Sequence, residues 1–257
     1  MSQRHPGSAA IARLREGEVG VGYWTVIDSP VVTEVLASAG YDFVVVDGQH
    51  GLVEYSGMLN ALLAIDAAHG PAGVVRVRSN NPADIGQALD SGARGVIVPL
   101  VDSVADAEAA VRSAKYPPHG VRSFGPTRSA LRVGPKPAEV DSEVLVMAMI
   151  ETPGGLAEVE KICQVEGLDG VYIGPSDLSL ALGASYPGQP EFLPALEDAA
   201  ARVLAVAQAA SKIAGFHNFN GADAKRRAEQ GFRFVTVSAD LQHLEAAAKG
   251  HLADFKG

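Results

Sequence analysis

The sequence predicts a (β/α)8 barrel, and three observations favour this fold class. Short runs rich in β-branched residues alternate eight times with segments whose apolar residues recur at helical spacing. The strand runs are apolar on both faces, which is typical of a buried parallel sheet. The length of 257 residues matches the usual size of such a barrel. A doubly wound open sheet is the alternative, but no G-x-G-x-x-G motif follows the first strand run. We therefore expect one barrel domain over residues 1–257.

The elements can be predicted in order along the chain. A short helix over 8–16 precedes the barrel. Strands are predicted at 19–27, 43–46, 74–78, 96–101, 144–150, directly before Gly174, 213–219 and 233–237. Helices are predicted between and after them at 28–39, 53–69, 82–90, 103–115, 153–165, 191–211, 221–230 and 240–253. Several helix starts carry a capping residue followed by proline, as at Asn81-Pro82.

One segment, residues 116–141, interrupts this alternation. It is rich in proline, glycine and arginine and has little periodicity. A connection of this length inside a compact domain is usually functional or disordered. It carries Arg122, Arg128 and Arg132, and we expect it to lie at the rim of the active site or at a subunit contact.

Composition narrows the class of partner. The net charge of −9 argues against nucleic acid. The single cysteine, Cys163, excludes an intrachain disulfide, suits a reducing cytoplasm and is best interpreted as a small buried hydrophobe. No apolar run approaches the roughly 20 residues that span a bilayer, and the N-terminus has no signal-peptide core. We expect a soluble cytoplasmic protein. Surface positions are expected for five histidines: His5, His69, His119, His243 and His251.

The chemistry is expected at the carboxyl ends of the strands, where parallel barrels carry their active sites. Glu151 and Asp177 each follow a buried strand run, and two carboxylates at neighbouring strand ends suit a hard divalent cation. Either acid alone could be an ordinary residue of a helix start. Arg76 could hold a carboxylate or carbonyl oxygen with its fork of donors. His50 is the candidate general base, since histidine ordinarily changes charge near neutral pH.

A carboxylate is needed to activate His50, and Asp90 is the candidate. No lysine is well placed for Schiff-base chemistry, because the lysines fall on predicted helices, the long segment, the tail or before a strand. Carbonyl chemistry at this site would therefore need a metal.

Several motifs resemble one family. VVVDGQHG at 44–51, VVRV at 74–77, MIET at 149–152 and GVYIGPSDLS at 170–179 resemble the class II, metal-dependent 2-keto acid aldolases of the HpcH/HpaI type, within the citrate lyase β-like superfamily. The resemblance runs from about residue 18 to 250. Two positions depart from the family's commonest pattern: Gln49 stands where Glu is usual, and Met149 where Gln is often found.

The resemblance implies a (β/α)8 barrel whose last helix can exchange between subunits, in dimers assembled into hexamers. It implies Mg, Mn or Co on Glu151 and Asp177, and pyruvate bound to that ion. The pyruvate carboxylate would lie at the 174–177 turn, against Gly174 and the backbone amides of Ser176 and Asp177. Arg76 would stabilise the enolate oxygen, and His50 paired with Asp90 would be the acid/base.

The hypothesis is reversible cleavage of a 4-hydroxy-2-keto acid, similar to 4-hydroxy-2-oxoheptanedioate, to pyruvate and an aldehyde. Arg122 and Arg128 could favour an aldehyde with a distal carboxylate, such as succinic semialdehyde. A citramalyl- or malyl-CoA lyase is one alternative, but no basic nucleotide site is evident. A metal-dependent barrel isomerase is another, and would normally need a third carboxylate or a lysine base. A non-catalytic binding barrel is a third, which the set of acid, base and arginine disfavours.

Overall fold

Eight parallel strands close into a barrel in the computed structural model, which describes residues 6–257. Each strand pairs with the next, and the eighth pairs with the first. The strands are β1 (Gly20–Thr25), β2 (Phe43–Asp47), β3 (Ala72–Arg76), β4 (Gly95–Val98), β5 (Leu145–Ile150), β6 (Gly170–Ile173), β7 (Ile213–Phe216) and β8 (Phe234–Ala239). The predicted fold class is confirmed.

Helices follow the strands as expected, and three short helices, α6, α7 and α10 in the list below, lie outside the predicted ranges. They are α1 (Pro6–Arg15), α2 (Pro30–Ala37), α3 (Tyr55–Ala67), α4 (Pro82–Asp90), α5 (Val104–Ala114), α6 (Ser129–Arg132), α7 (Pro137–Glu143), α8 (Pro153–Ala157), α9 (Val159–Ile162), α10 (Pro175–Ala181), α11 (Leu193–Ala209), α12 (Gly221–Gln230) and α13 (Asp240–Lys256). The single helix predicted at 153–165 is divided into α8 and α9. The short helix α10, which begins directly after β6, was not predicted. His5 lies outside the described residues.

The barrel interior is filled by alternating large and small residues. Phe43 and Phe234 stack with their ring centroids 3.8 Å apart. Gly22 leaves room for the Phe43 ring, since a Cβ there would lie 2.0 Å from it. The N-terminal helix α1 closes the amino-terminal end of the barrel by packing Ile11 and Leu14 against this interior cluster. The other end is left open.

The segment 116–141 lies at the closed end of the barrel, so within one chain it does not border the open end, where the active site is expected. It joins the end of α5 to the start of β5, and both of these termini lie at the amino-terminal edge of the sheet. Its arginines bind acids at the ends of other helices: Arg128 pairs with Asp66 and Arg122 with Asp90. A subunit contact for this segment stays a prediction.

The last helix, α13, projects from the barrel. Among its residues only Asp240 is buried, while Leu244 and Phe255 are 61% and 88% exposed. The Asp240 carboxylate accepts hydrogen bonds from the backbone N–H groups of Val26 and Ile27, which ties the helix to the end of β1. Exchange of this helix between subunits stays a prediction. None of the helices within residues 6–257 combines the length and hydropathy needed to cross a bilayer.

Candidate active site

A cavity of about 220 Å³ opens at the carboxyl-terminal end of the barrel. Turns and strand ends from β1, β2, β3, β5, β6, β7 and β8 contribute to its wall. The lining residues are Trp24, Val26, Asp47, His50, Arg76, Met149, Glu151, Tyr172, Gly174, Pro175, Ser176, Asp177, His217, Phe219, Ala239 and Gln242. Six of the predicted site residues therefore line the same cavity: His50, Arg76, Glu151, Gly174, Ser176 and Asp177.

Arg76 is fixed by a buried carboxylate on the neighbouring strand. The register of β2 and β3 places Asp47 directly beside Arg76. Arg76 donates from Nε to Asp47 Oδ1 at 2.9 Å and from Nη2 to Oδ2 at 2.5 Å. Trp24 Nε1 donates to the same Oδ2 at 3.0 Å, and the guanidinium lies 5.0 Å from the centroid of the Trp24 ring. Arg76 Nη1 makes no hydrogen bond to any residue in 6–257, so one donor group is left for a ligand.

Asp47 also organises the loop that carries His50. Its Oδ1 accepts from the backbone N–H groups of Gln49 at 3.0 Å and His50 at 3.1 Å. Burial raises the pKa of Asp47, but the hydrogen bonds and charge of Arg76 outweigh burial and hold the pKa below its ordinary value. The carboxylate is therefore ionised across the neutral range. His50 itself is exposed at the cavity rim.

Glu151 holds a buried carboxylate oxygen without a partner. Its Oε1 accepts the backbone N–H of Leu100 at 2.9 Å, whereas Oε2 is buried and makes no hydrogen bond within the described chain. Burial raises the pKa of Glu151, and the nearby negative charge of Asp177 raises it further. Leu100 has a φ of +52°, a conformation costly for a non-glycine residue, and this turn directs its N–H to Glu151. A bound cation would give this buried carboxylate oxygen the partner that it lacks.

Asp177 and the amides beside it lie in the first turn of α10. Asp177 is exposed, and Ser176 is partly exposed. First-turn N–H groups have no partner within their helix, so the amides of Ser176 and Asp177 can bind a ligand's carboxylate. Gly174 lies under this turn, where a Cβ would come within 2.5 Å of Glu151 Oε2. The glycine is therefore required by the position of the Glu151 carboxylate.

Two predicted site residues are elsewhere in the chain. Asp90 ends α4, and because that helix runs from the open end of the barrel to the closed end, its last residue is remote from the cavity. Its carboxylate accepts from Arg122 Nη2 at 2.5 Å. Arg122 is buried, and its guanidinium lies 4.6 Å from the centroid of the Tyr116 ring. Within one chain, Asp90 does not contact His50 and Arg122 does not reach the cavity, which corrects both expectations.

Three other side chains form a polar cluster in the cavity wall. His217, at the end of β7, has Nδ1 3.2 Å from the Tyr172 hydroxyl and 3.4 Å from Thr236 Oγ1, and those two hydroxyls are 3.0 Å apart. Burial lowers the pKa of His217 to about 4, and the positive charge of Arg76 acts in the same direction. His217 falls within the strand predicted at 213–219, but its partners on β6 and β8 are distant from it in the sequence.

The donor set fits a divalent cation with open coordination positions. Among residues 6–257, no three or more His, Cys, Asp or Glu side chains gather to hold a metal ion. The candidate centre thus consists of Glu151 and Asp177 alone. Magnesium is often bound by one or two carboxylates, with water or substrate oxygens completing its shell. The unpaired Oε2 of Glu151 fits this requirement.

Known proteins similar to this chain share its fold and belong to one family. The chain matches the family described as HpcH/HpaI aldolase/citrate lyase over residues 21–247. It is 39% identical to a hydroxypyruvate/pyruvate aldolase of Rhizorhabdus wittichii, over 94% of this chain and 96% of that one. It is 34% identical to a 5-keto-4-deoxy-D-glucarate aldolase of Salmonella paratyphi A, over 95% of each chain.

A crystal structure of a family protein from Burkholderia cenocepacia superposes with a TM-score of 0.86 at 32% identity. That alignment covers 97% of this chain and all of the other. The family that the motifs predicted is confirmed, and its named relatives are carbon–carbon lyases. The chain therefore belongs to the HpcH/HpaI aldolase/citrate lyase family and is an aldolase.

Proposed function

We propose that this aldolase cleaves a 4-hydroxy-2-keto acid reversibly to pyruvate and an aldehyde, with a divalent metal bound by Glu151 and Asp177. The observation that carries the proposal is the unpaired, buried Oε2 of Glu151 in a cavity that Asp177 also lines. Leaving a carboxylate oxygen buried without a partner is costly, and a cation removes that cost. The names of the relatives support pyruvate as the keto acid fragment.

A bound divalent cation would act as a Lewis acid toward the 2-keto oxygen of the substrate. The chain's own residues would do the rest. The first-turn amides of Ser176 and Asp177 would hold the substrate carboxylate. Arg76, held rigid by Asp47, would direct Nη1 at the oxygen that becomes negative when the carbon–carbon bond breaks. A donor that is already oriented stabilises this developing charge without reorganisation.

His50 is the proposed proton acceptor for the 4-hydroxyl group. It lies at the cavity rim, and its backbone is fixed by Asp47, so its side chain can reach a substrate that enters from solvent. His50→Ala should lower kcat by about 10²–10⁴-fold, which is the usual contribution of a general base. Asp90 has no part in this proposal, because within one chain it is paired with Arg122.

The exposed apolar residues of α13 support a further proposal that the chain assembles with copies of itself. Leu241, Leu244 and Phe255 would be covered by another subunit. Sedimentation analysis of the wild type and of a chain truncated after residue 239 should distinguish an oligomer held by this helix from a monomer.

Pyruvate release from a racemic 4-hydroxy-2-keto acid tests the reaction. Activity should fall to background after chelation, return with Mn²⁺ or Mg²⁺, and be lost in Asp177→Asn and Glu151→Gln. Glu158→Gln is the matched control, because among residues 6–257 the Glu158 carboxylate pairs only with Lys161, at the surface. Undiminished turnover after chelation, or in Glu151→Gln, would refute the metal role.

A further inference from the structure

His217 is held in one orientation by two aromatic rings. Its ring packs edge-on against Trp24, with centroids 4.8 Å apart, and against Phe219 at 5.5 Å. Its Nδ1 faces the hydroxyls of Tyr172 and Thr236. Its Nε2 makes no hydrogen bond to any described residue, although the side chain lines the cavity. One ring nitrogen is thus used by the protein and the other is available to a ligand.

The hydroxyl protons determine which nitrogen carries hydrogen. Tyr172 and Thr236 are buried, and each hydroxyl has one proton that needs an acceptor. If Nδ1 is unprotonated, it accepts one of these protons and the other hydroxyl oxygen accepts the second. If Nδ1 carried hydrogen, it could only donate, and because two hydroxyls cannot donate to each other at the same time, one hydroxyl proton would have no acceptor within the cluster. The cluster therefore favours the tautomer with hydrogen on Nε2.

The ring is a neutral donor, because burial and the charge of Arg76 hold the pKa of His217 to about 4. The side chains that pack against the ring, Trp24 and Phe219, are uncharged. Arg76 and Asp47, whose charges also act on the ring, are paired with each other. A neutral oxygen is the substrate group that this ring is suited to recognise.

We propose that His217 is a specificity-determining residue that donates from Nε2 to the hydroxyl group of an uncharged 2-hydroxyaldehyde. This inference rests on the aldol reaction proposed above and names the class of its aldehyde. Arg122 and Arg128, the cations expected to favour a distal carboxylate, pair with Asp90 and Asp66 instead. The small cavity admits a short aldehyde, whose 2-hydroxyl lies one carbon from the reacting centre.

The test compares condensation of pyruvate with glycolaldehyde and with acetaldehyde, which differ by the hydroxyl group. The measured quantity is the ratio of kcat/KM for the two aldehydes. His217→Leu should lower this ratio about tenfold, since it loses one hydrogen bond to the hydroxyl. The value of kcat/KM for acetaldehyde should fall by much less than that for glycolaldehyde, because acetaldehyde has no hydroxyl group to accept this hydrogen bond. His217→Gln keeps an N–H donor and should retain more of the preference than His217→Leu.

Two further measurements distinguish failure of the His217 proposal from failure of the proposed reaction. Metal-dependent exchange of the pyruvate methyl protons in D₂O reports the proposed reaction without any aldehyde, and it should still be measurable in His217→Leu. The ¹⁵N shifts of the His217 ring should show a protonated Nε2 and a bare Nδ1. An unchanged aldehyde ratio in His217→Leu, or a protonated Nδ1, would overturn the inference while exchange persists. Absence of metal-dependent exchange in the wild type would overturn the proposed reaction and the inference with it.

Discussion

Gly174→Ala tests how closely the backbone between β6 and α10 packs against the candidate metal ligand Glu151. The added Cβ would lie 2.5 Å from Glu151 Oε2 and 2.9 Å from the Met149 methyl group. Ordinary contacts of a Cβ are about 3.4–4 Å, so the carboxylate must move by about 1 Å. Metal–oxygen distances tolerate only about ±0.2 Å, so this displacement should break the bond to Glu151. We expect Mn²⁺ affinity to fall by at least about tenfold.

Isothermal titration of the metal-free protein with Mn²⁺ measures this affinity directly. Gly174 has a φ of −92°, which alanine adopts readily, so the substitution acts through the side chain rather than through backbone strain. Gly86→Ala is the matched control, because a Cβ at Gly86 would meet nothing within 4 Å. Wild-type affinity in Gly174→Ala would refute the assignment of Glu151 Oε2 as a metal ligand.

Three further predictions concern charge and packing around the cavity. Asp47→Asn should destabilise the protein by about 3–5 kcal/mol in urea titrations, because Arg76 would lose its buried counter-ion; a loss below about 1 kcal/mol would contradict the pairing. His217 binds its proton near pH 4 in the folded state but near 6.5 when unfolded. Stability should therefore decrease as the pH falls from about 6.5 to 4, by about 3 kcal/mol, and this component should be missing from His217→Leu; parallel pH profiles of the two proteins would contradict it. Gly22→Ala should cost about 1–3 kcal/mol in the same titration, since its Cβ would overlap the Phe43 ring, and an unchanged midpoint would show that the interior can relax.

Most of the candidate site could be predicted because parallel strands end at a common edge. Glu151, Asp177 and His50 each follow a strand run directly, and this position alone brings them to one cavity. Alternation does not distinguish Arg76 from Arg78, which are two residues apart, but β3 ends at Arg76, whereas Arg78 lies beyond the strand, is exposed and pairs with Glu54. The role of Asp47 depends on the register of β2 and β3, which the sequence does not specify.

The errors share one physical cause. Asp90 ends α4 and Arg122 follows α5, and a connection from a helix to the next strand belongs to the closed end of the barrel. The arginine content of segment 116–141 favours a role in binding anions, but the topology excludes this segment from the cavity of the same chain. The cluster around His217 could not be predicted, because its members come from three strands that are distant in sequence.

The central claim is that Glu151 and Asp177 bind one cation, and crystals grown with Mn²⁺ test it most directly. We predict an anomalous difference peak within about 2.5 Å of a carboxylate oxygen of both residues, in the cavity that Arg76 and His50 also line. A manganese ion that contacts only one of the two acids, or that binds only elsewhere on the barrel, would contradict the account.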